Sequence, residues 1–293
     1  MAHKSENEVL RIGAAGSITT LIGESSFYFI DAINARSKVL SRNISFMEML
    51  KDVLKNEGVR GLYKGYSASY YSSIMYGYLY FYIYKGFKGY VKDTDTFRNN
   101  QTSTPLKALV YASASTVAEI VSLFIYYPFE LTKIRMLTKN DVYQYTSVSD
   151  AFVKILRQDG IPGMYRGLIA FFFAFMGQYT LQMTTYELIM DKTQREIGLE
   201  RLKAHENFYV IRASVVSGVI AALLTNSLEV IVLRKQTQHV KISEILKSEG
   251  TKVLTKGLQA KLLFTTLQSV TLFMSMNHIG KLFNTNLSEN DAE

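Results

Sequence analysis

The sequence carries one short motif three times, and the copies are 99 residues apart. The middle copy, PFELTKIR (residues 128–135), has an acid two residues after its proline, a lysine after five and an arginine after seven. FIDAINAR (residues 29–36) and SLEVIVLR (residues 227–234) align with it and keep the acid and the final arginine. Repetition at a fixed, long interval indicates one supersecondary unit used three times.

A second motif follows each copy of the first. It consists of an acid and a glycine, then an aromatic residue or threonine, a base and another glycine, with eight residues from the acid to the last glycine. The copies are Glu57-Gly58 with Tyr63-Lys64-Gly65, Asp159-Gly160 with Tyr165-Arg166-Gly167, and Glu249-Gly250 with Thr255-Lys256-Gly257. Two motifs kept in register over three copies are not a coincidence of composition.

Long uncharged runs alternate with these motifs. Residues 66–84, 168–186 and 262–280 contain no charge, residues 12–30 only Glu24, residues 108–127 only Glu119, and residues 213–228 none. A helix of about 20 mainly apolar residues crosses the ~30 Å hydrocarbon core of a bilayer. The pattern therefore predicts six transmembrane helices.

The predicted fold is an all-α membrane protein of one transmembrane domain built from three two-helix repeats. The repeats cover residues 9–92, 104–195 and 206–284, and residues 285–293 form a tail. Short amphipathic helices are predicted between the two spans of each repeat, at residues 45–55, 149–158 and 242–248, because apolar residues there recur at helical spacing. A soluble protein with unusually apolar helices is the alternative.

Composition excludes several classes of function. The chain has no cysteine, so a disulfide framework or a thiolate metal site is impossible, and its four histidines are scattered singly. No nucleotide loop or nucleophile motif appears, and we predict neither an enzyme nor a metal protein. The net charge of +8 accompanies no nucleic-acid-binding motif, so the basic residues are expected to face anionic lipid headgroups rather than nucleic acid.

With these two motifs in three copies, the sequence resembles the mitochondrial carrier family over residues 9–283. The resemblance implies a multi-pass protein of the mitochondrial inner membrane with its termini toward the intermembrane space. It also implies a central cavity on a pseudo-three-fold axis and short helices on the matrix side. In the family a proline kinks each odd-numbered span. Only Pro128 is present here, so the first and fifth spans are expected to be straighter.

The family closes its matrix side with ion pairs, in which the acid of one odd-numbered span meets the base of the next. Carried onto this sequence, Asp31 pairs with Lys133. Glu130 would need a base at Val232, and Glu229 would need one at Asn34. Two of the three bridges are therefore expected to be missing. The corresponding cytoplasmic-side pairs are reduced to a remnant, consisting of Lys85, Lys88 and Glu187.

Another set of charges is complete in all three repeats. The resemblance implies a bridge within each repeat, between the last arginine of the first motif and the acid of the second. The pairs are Arg36 with Glu57, Arg135 with Asp159, and Arg234 with Glu249. The alternative is that these charges are merely solvated ends of spans.

Substrate contacts in the family fall on the even-numbered spans, and the positions seven residues after each motif glycine are uncharged here. They are Ser72, Ala174 and Phe264. An anion in a membrane needs a fixed cation, and Arg212 and Lys261 are the nearest candidates. Glu24 is a candidate intramembrane acid, or an internal partner of Lys261 or Arg212. Tyr76, Gln178 and Gln268 are candidates for a neutral polar interior or for hydrogen bonds between helices.

Glycines and bases of the second motif are expected to hold a lipid phosphate, because free amides at a helix start attract anions and the family binds cardiolipin there. The candidate positions are Gly58, Lys64, Gly65, Gly160, Arg166, Gly167, Gly250, Lys256 and Gly257. No other cofactor is predicted.

Two hypotheses of function follow. A transporter working by alternating access needs two gates of similar strength, so that neither state dominates. Because both gates are depleted here, the sequence favours a structural subunit of a larger inner-membrane assembly, such as a respiratory complex. The alternative is a transporter of a small metabolite.

Overall fold

The computed structural model describes residues 2–40, 42–92, 104–138, 144–238 and 242–283, and every regular element in this part is helical. Six helices of 25 residues or more dominate the described part, and shorter ones lie between them. In chain order they are α1 Ala2–Ser26, α2 Tyr28–Val39, α3 Phe46–Leu62, α4 Tyr66–Lys92, α5 Thr104–Leu137, α6 Val148–Gln158, α7 Gly160–Met164, α8 Leu168–Ile197, α9 Leu199–Ala204, α10 Glu206–Thr237, α11 Ile242–Glu249, a 3-10 helix Thr251–Thr255 and α12 Leu258–Leu282. The tail at residues 285–293 lies outside the described residues.

Two helical stretches of the described chain are long and apolar enough, by length and composition, to cross a membrane: Gly160–Ile197 and Glu206–Thr237. The six predicted spans are therefore not all apparent from hydropathy. In α4 the reason is its tyrosine and serine content, since residues 66–84 alone hold eight tyrosines and four serines. These side chains carry no charge but are much less apolar than leucine or valine.

The first span is interrupted although it has no proline, and the expectation that it is straighter is wrong. Helix α1 ends at Ser26 and α2 begins at Tyr28, with Phe27 between them in a non-helical conformation. Serine pairs are a known place for such breaks, and here Ser25 accepts a hydrogen bond from Tyr66 Oη at 2.9 Å. Helix α5 continues through Pro128, and the fifth span, α10, is a single helix.

Short helices form between the spans as predicted. Ser45 caps α3 in a capping box, in which its side chain accepts from the backbone N–H of Glu48 and the Glu48 side chain accepts from the backbone N–H of Ser45. Ser147 caps α6 in the same position. Gly58 has a positive φ of 66° within α3 and turns the chain between the two parts of the second motif.

The chain divides into two compact units. The smaller unit contains residues 1–22, 71–126 and 275–293. In its described part, small residues let α1 approach α4 closely: a Cβ on Gly16 would lie 2.8 Å from Gly77 O. Thr20 Oγ1 donates to Ser73 O at 2.8 Å across the same contact. Around it packs an apolar core of Ile12, Ala15, Tyr80, Phe81, Tyr84 and Ala118.

The larger unit contains residues 23–70 and 127–274, and thus all copies of both motifs. One apolar cluster joins the three segments of the first motif, and it consists of Tyr28, Ala32, Ala35, Ile134, Leu137 and Leu233. Helices α10 and α12 meet at small residues, where Ser269 Oγ donates to Ser214 O at 2.9 Å. The motif segments are thereby held against one another.

Candidate functional site

Charged side chains of the first motif form two groups in the larger unit. The Asp31 group consists of Asp31, Glu130 and Lys133. Lys133 Nζ lies 3.2 Å from Asp31 Oδ2 on α2 and 2.9 Å from Glu130 Oε1 on its own helix. The predicted pair of Asp31 and Lys133 is therefore present, and its lysine also serves the neighbouring acid.

The Glu229 group consists of Glu229, Asn34, Lys38 and Lys261. Lys38 Nζ lies 2.6 Å from Glu229 Oε1, and Asn34 Nδ2 donates to the same oxygen at 2.8 Å. Lys261 Nζ donates to Glu229 Oε2 and to Gln178 Oε1 on α8, the latter at 2.7 Å. One carboxylate is thus held by two ammonium groups and an amide.

Both acids that were expected to lack a bridge contact lysines. The structure shows why alignment of the motif copies did not identify the lysines that bind Glu229. Lys38 stands four residues after Asn34, one helical turn on, and so presents its charge on the same side of α2. Lys261 comes from an even-numbered span. The spacing of Asn34 and Lys38 is visible in the sequence, but nothing there says that Lys261 reaches Glu229.

The second and third repeats are joined by hydrogen bonds to uncharged acceptors, and Val232, where the alignment would place a base, is buried and apolar. Arg135 Nε on α5 donates to the backbone carbonyl of Gln236 on α10 at 3.1 Å. Gln236 Nε2 donates in turn to Tyr127 Oη at 3.3 Å. These contacts join α5 to α10 in the larger unit.

All three predicted bridges within repeats have short separations. Arg36 binds Glu57 through two hydrogen bonds, of 2.7 and 3.1 Å, and Arg234 Nη2 lies 3.2 Å from Glu249 Oε2. Arg135 and Asp159 are farther apart, at 3.8 Å. The bridges of the first and third repeats also include the base of the second motif, since Lys64 binds Glu57 and Lys256 binds Glu249.

Burial acts to raise the pKa of Glu57, but its hydrogen bonds with Arg36 and Lys64 and the charges of these two partners outweigh that effect. Together they lower the pKa from its ordinary 4.5 to about 2. Glu57 is therefore a carboxylate at any physiological pH and fastens α3 to α2.

The arginines also hold the ends of neighbouring helices. Arg234 donates to the carbonyls of Lys38, at 2.8 Å, and Leu40, at 2.6 Å. These are among the last carbonyls of α2, which have no partner within the helix and which a basic side chain can satisfy. Since Arg135 does the same at Gln236, two of the three arginines connect one repeat to another.

Sequence inspection missed a three-fold contact made by the residue before each proline position. Tyr28 Oη donates to Lys64 O at 2.7 Å, and Tyr127 Oη donates to Arg166 O. Asn226 Nδ2 contacts Lys256 O at 3.3 Å and Leu254 O at 2.8 Å. The three donors are 99 residues apart, and that regular interval was the available signal.

The last glycine of each second motif lies against the next repeat, in cyclic order. Gly65, Gly167 and Gly257 all have positive φ, between 68° and 82°. A Cβ on Gly65 would lie 2.9 Å from Lys133 O, and one on Gly257 would lie 2.9 Å from Lys38 Cγ. Gly167 faces Lys235 and Gln236. Side chains at these positions would separate the repeats as well as strain the backbone.

The predicted lipid-binding bases differ in availability. Lys256 is 4% exposed and donates to Leu40 O at 2.8 Å as well as binding Glu249. Lys64 has 39% of its side chain exposed although it binds Glu57. A phosphate could therefore contact Lys64 directly, whereas at Lys256 it would have to displace the lysine's protein partners.

The three polar residues proposed for the interior stand eleven positions after the motif glycines, and each contacts an ionisable group. Tyr76 Oη donates to Glu119 Oε2 at 2.9 Å in the smaller unit. In the larger unit, Gln268 Nε2 donates to Glu24 Oε1 at 2.7 Å, and Gln178 accepts from Lys261. The partner proposed for Glu24 was wrong, because Lys261 binds Glu229 and Arg212 is exposed.

The remaining predicted positions are less informative. Ser72, Ala174 and Phe264 are buried, and Lys85 is half-buried. The side chains of Lys88 and Glu187, two of the three members of the cytoplasmic-side remnant, lie outside the described residues.

Comparison with known proteins assigns the family. The family model described as mitochondrial carrier protein matches residues 5–95, 104–196 and 204–287, three times in succession along the chain. The chain belongs to the mitochondrial carrier family. A mitochondrial carrier is all-α, as this chain is in its described part.

Similar proteins include several named as transporters. Mitochondrial substrate carrier family protein E of Dictyostelium discoideum is 27% identical, covering 89% of this chain and 92% of the relative. Nicotinamide adenine dinucleotide transporter 2, mitochondrial, of Arabidopsis thaliana is 27% identical over 96% of this chain and 82% of its own. Mitochondrial thiamine pyrophosphate carrier 1 of Saccharomyces cerevisiae is 25% identical, covering 78% and 72%.

Proposed function

We propose that this mitochondrial carrier is a transporter of a small metabolite across the mitochondrial inner membrane, working by alternating access with its termini toward the intermembrane space. The observation that carries the proposal is that every acid of the first motif contacts a lysine. The case for a structural subunit rested on depletion of both gates, including two missing bridges on the matrix side. One of these two bridges is supplied from a neighbouring position, because Lys38 on α2 binds Glu229 on α10, and Glu130 is paired with Lys133 within its own helix. The matrix-side part of that case therefore loses much of its support.

Transport is also supported by the names of the relatives, two of which refer to transport of a defined metabolite. Fold alone would not decide function, but an ion-pair gate is a device for opening and closing. The pairs that join separate odd-numbered spans, Asp31 with Lys133 and Glu229 with Lys38, would break when the matrix side opens. The bridges between Arg36 and Glu57 and between Arg234 and Glu249 would stay closed.

The experiment is uptake into vesicles reconstituted with the purified full-length protein. Metabolites for which the relatives are named, together with dicarboxylates and amino acids, form the test panel. Saturable uptake that depends on the protein and is lost in Lys133→Met supports transport. Absence of uptake, together with migration of the detergent-extracted protein in a large complex, would restore the structural-subunit hypothesis.

An anionic phospholipid, most simply cardiolipin, is the proposed lipid partner. Its support is the exposed side chain of Lys64 beside Gly65, where α4 begins. Native mass spectrometry of the detergent-solubilised protein would detect retained cardiolipin. A reduced proportion of lipid-bound protein is expected in Lys64→Gln, and an unchanged proportion would remove Lys64 from the site.

A further inference from the structure

The carboxylate of Glu229 contacts two lysines, whereas one would be enough to neutralise its charge. The side chains of Lys38 and Lys261 are 0% and 1% exposed, so both ammonium groups are shielded from solvent, whereas the side chain of Glu229, which they share, is 24% exposed. A single lysine neutralises the acid, and the second leaves a local surplus of positive charge. Unpaired charge is costly to bury in protein and still more costly in a membrane, and such groups mark functional sites.

Lys38 and Asn34 form a sufficient pair of partners for Glu229. Both lie on α2, and both contact Oε1 of the carboxylate. Lys261 approaches the other oxygen from α12 and is also bonded to Gln178 of α8. If Lys261 moved away from Glu229, the acid would therefore keep Lys38 and the amide of Asn34. Removal of Lys133, in contrast, would take from Asp31 and Glu130 the lysine that they share.

The position of Lys261 on α12 also suits a solute contact. Phe264 and Gln268 follow it by three and seven residues, and these spacings place all three side chains on one face of the helix. Gln268 binds Glu24 of α1 from that face. The seven residues from Lys261 to Gln268 span about 10 Å along the axis, a length comparable to that of a small metabolite.

We propose that Lys261, with Gln178 beside it, is the anion-binding point for the transported solute, and that the group it takes is a carboxylate or a phosphate. The proposal rests on the proposed transport function. Without solute, Glu229 Oε2 occupies the place of the anion. When an anionic group arrives, it replaces that oxygen on Lys261, and Glu229 remains bound to Lys38 and Asn34.

Charge elsewhere in the cluster explains why the site is stable without solute. The Asp31 group has two acids on one lysine and so carries a surplus negative charge, which offsets the surplus of the Glu229 group at longer range. The positions at which substrate contacts fall in the family carry no cation here; they are Ser72, Ala174 and Phe264. Lys261 supplies the cation four residues after the third motif glycine instead of seven.

The first test measures thermal unfolding of the full-length protein in detergent. The probes are citrate, inorganic phosphate and nicotinamide adenine dinucleotide at constant ionic strength, with trehalose as an uncharged control. At least one anion is expected to stabilise the wild type, and Lys261→Gln should weaken its apparent affinity at least about tenfold, the equivalent of 1.4 kcal/mol. Lys252→Gln, which removes an exposed charge from the 3-10 helix, should respond like the wild type, and Lys261→Arg should keep the response.

Glu229→Gln provides the opposite change, because it removes the carboxylate that competes for Lys261. This variant should be less stable without anion but should bind the stabilising anion at least about tenfold more tightly than the wild type. An unchanged affinity in Glu229→Gln, or no anion response in the wild type, would overturn the proposal. Because Glu229→Gln and Lys261→Arg both keep a basic side chain at position 261, the test survives if Lys261→Gln does not fold.

Vesicle uptake separates this proposal from the transport proposal. Anion stabilisation that depends on Lys261 in a protein that moves no solute would keep the binding site and refute transport. Uptake of an uncharged or cationic solute that is unaffected by Lys261→Gln would keep transport and refute the anion site.

Discussion

The two charged groups of the larger unit pair their acids with lysines in opposite ratios. In the Asp31 group a single lysine serves two acids, one on its own helix and one on α2. In the Glu229 group two lysines and an amide serve a single acid. Three acids and three lysines thus balance over the pair of groups, although neither group is balanced by itself.

This difference shows that a lysine can supply a charge to a motif acid from a position other than the aligned one. Lys38 replaces Asn34 from one turn farther along α2, and Lys261 joins from another helix. A lysine side chain is long and flexible, so its ammonium group can reach a partner from several backbone positions. Identity at aligned positions therefore does not identify every lysine that pairs with a motif acid.

The largest expected contrast is between the acids of the two groups. Glu229→Ala leaves two buried ammonium groups without their carboxylate and should lower the free energy of unfolding by about 3–5 kcal/mol. Glu130→Ala leaves Lys133 paired with Asp31 and should cost about 1 kcal/mol. Denaturant titration of the purified protein in detergent measures both, and equal losses would show that the groups are not organised differently.

Substitution of the lysines instead of the acids should make the Asp31 group the more sensitive of the two groups. Lys133→Met removes the cation that two acids share and should cost about 3 kcal/mol, since each acid is partly buried. Lys38→Met leaves Glu229 with Lys261 and should cost about 1 kcal/mol. The same titration applies. A more harmful Lys38→Met would mean that Lys261 does not compensate for it, and would also weaken the anion-site proposal.

The bridges within repeats differ in a similar way, because Glu57 is bound by two bases at short distances and Asp159 lies 3.8 Å from Arg135. Glu57, whose pKa is lowered to about 2, contributes stability above its ordinary pKa of 4.5 and loses it as the pH falls toward 2. Wild-type protein should therefore lose stability across that window, and Glu57→Gln should show a smaller loss. Asp159→Asn, whose bridge is 3.8 Å long, is the matched control and should alter the acid profile less. Thermal unfolding at stepwise lower pH is the measurement.

The smallest effects come from placing lysine at the two aligned positions that lack it. Alignment alone predicts that Asn34→Lys and Val232→Lys both stabilise the closed state. Opposite signs of about 1 kcal/mol each are expected from the structure: Asn34→Lys adds a third ammonium beside Glu229, whereas Val232→Lys adds a cation at the position that the alignment pairs with Glu130. Stabilisation by Asn34→Lys would contradict the description of the Glu229 group.

The sequence by itself determined the repeat, the helical composition, the short helices that begin near Ser45 and Ser147, and the pairs Arg36 with Glu57 and Asp31 with Lys133. The repeat and the helices follow from the spacing of motifs and apolar residues, and the two pairs follow from the resemblance to the carrier family that the motifs carry. The break at Phe27 did not follow, because proline is the strongest sequence signal for a kink and the first span has none there.

Only the tertiary structure decided which groups complete the charges. Lys261 meets Glu229 and Gln178 because α12 packs beside α10 and α8 at one rotation and one height, and a sequence records neither quantity. The same holds for Gln268 with Glu24 and for the contacts of Tyr28, Tyr127 and Asn226 with backbone carbonyls. The sequence of a helix shows which residues share a face, but which residues that face contacts depends on how separate helices pack together.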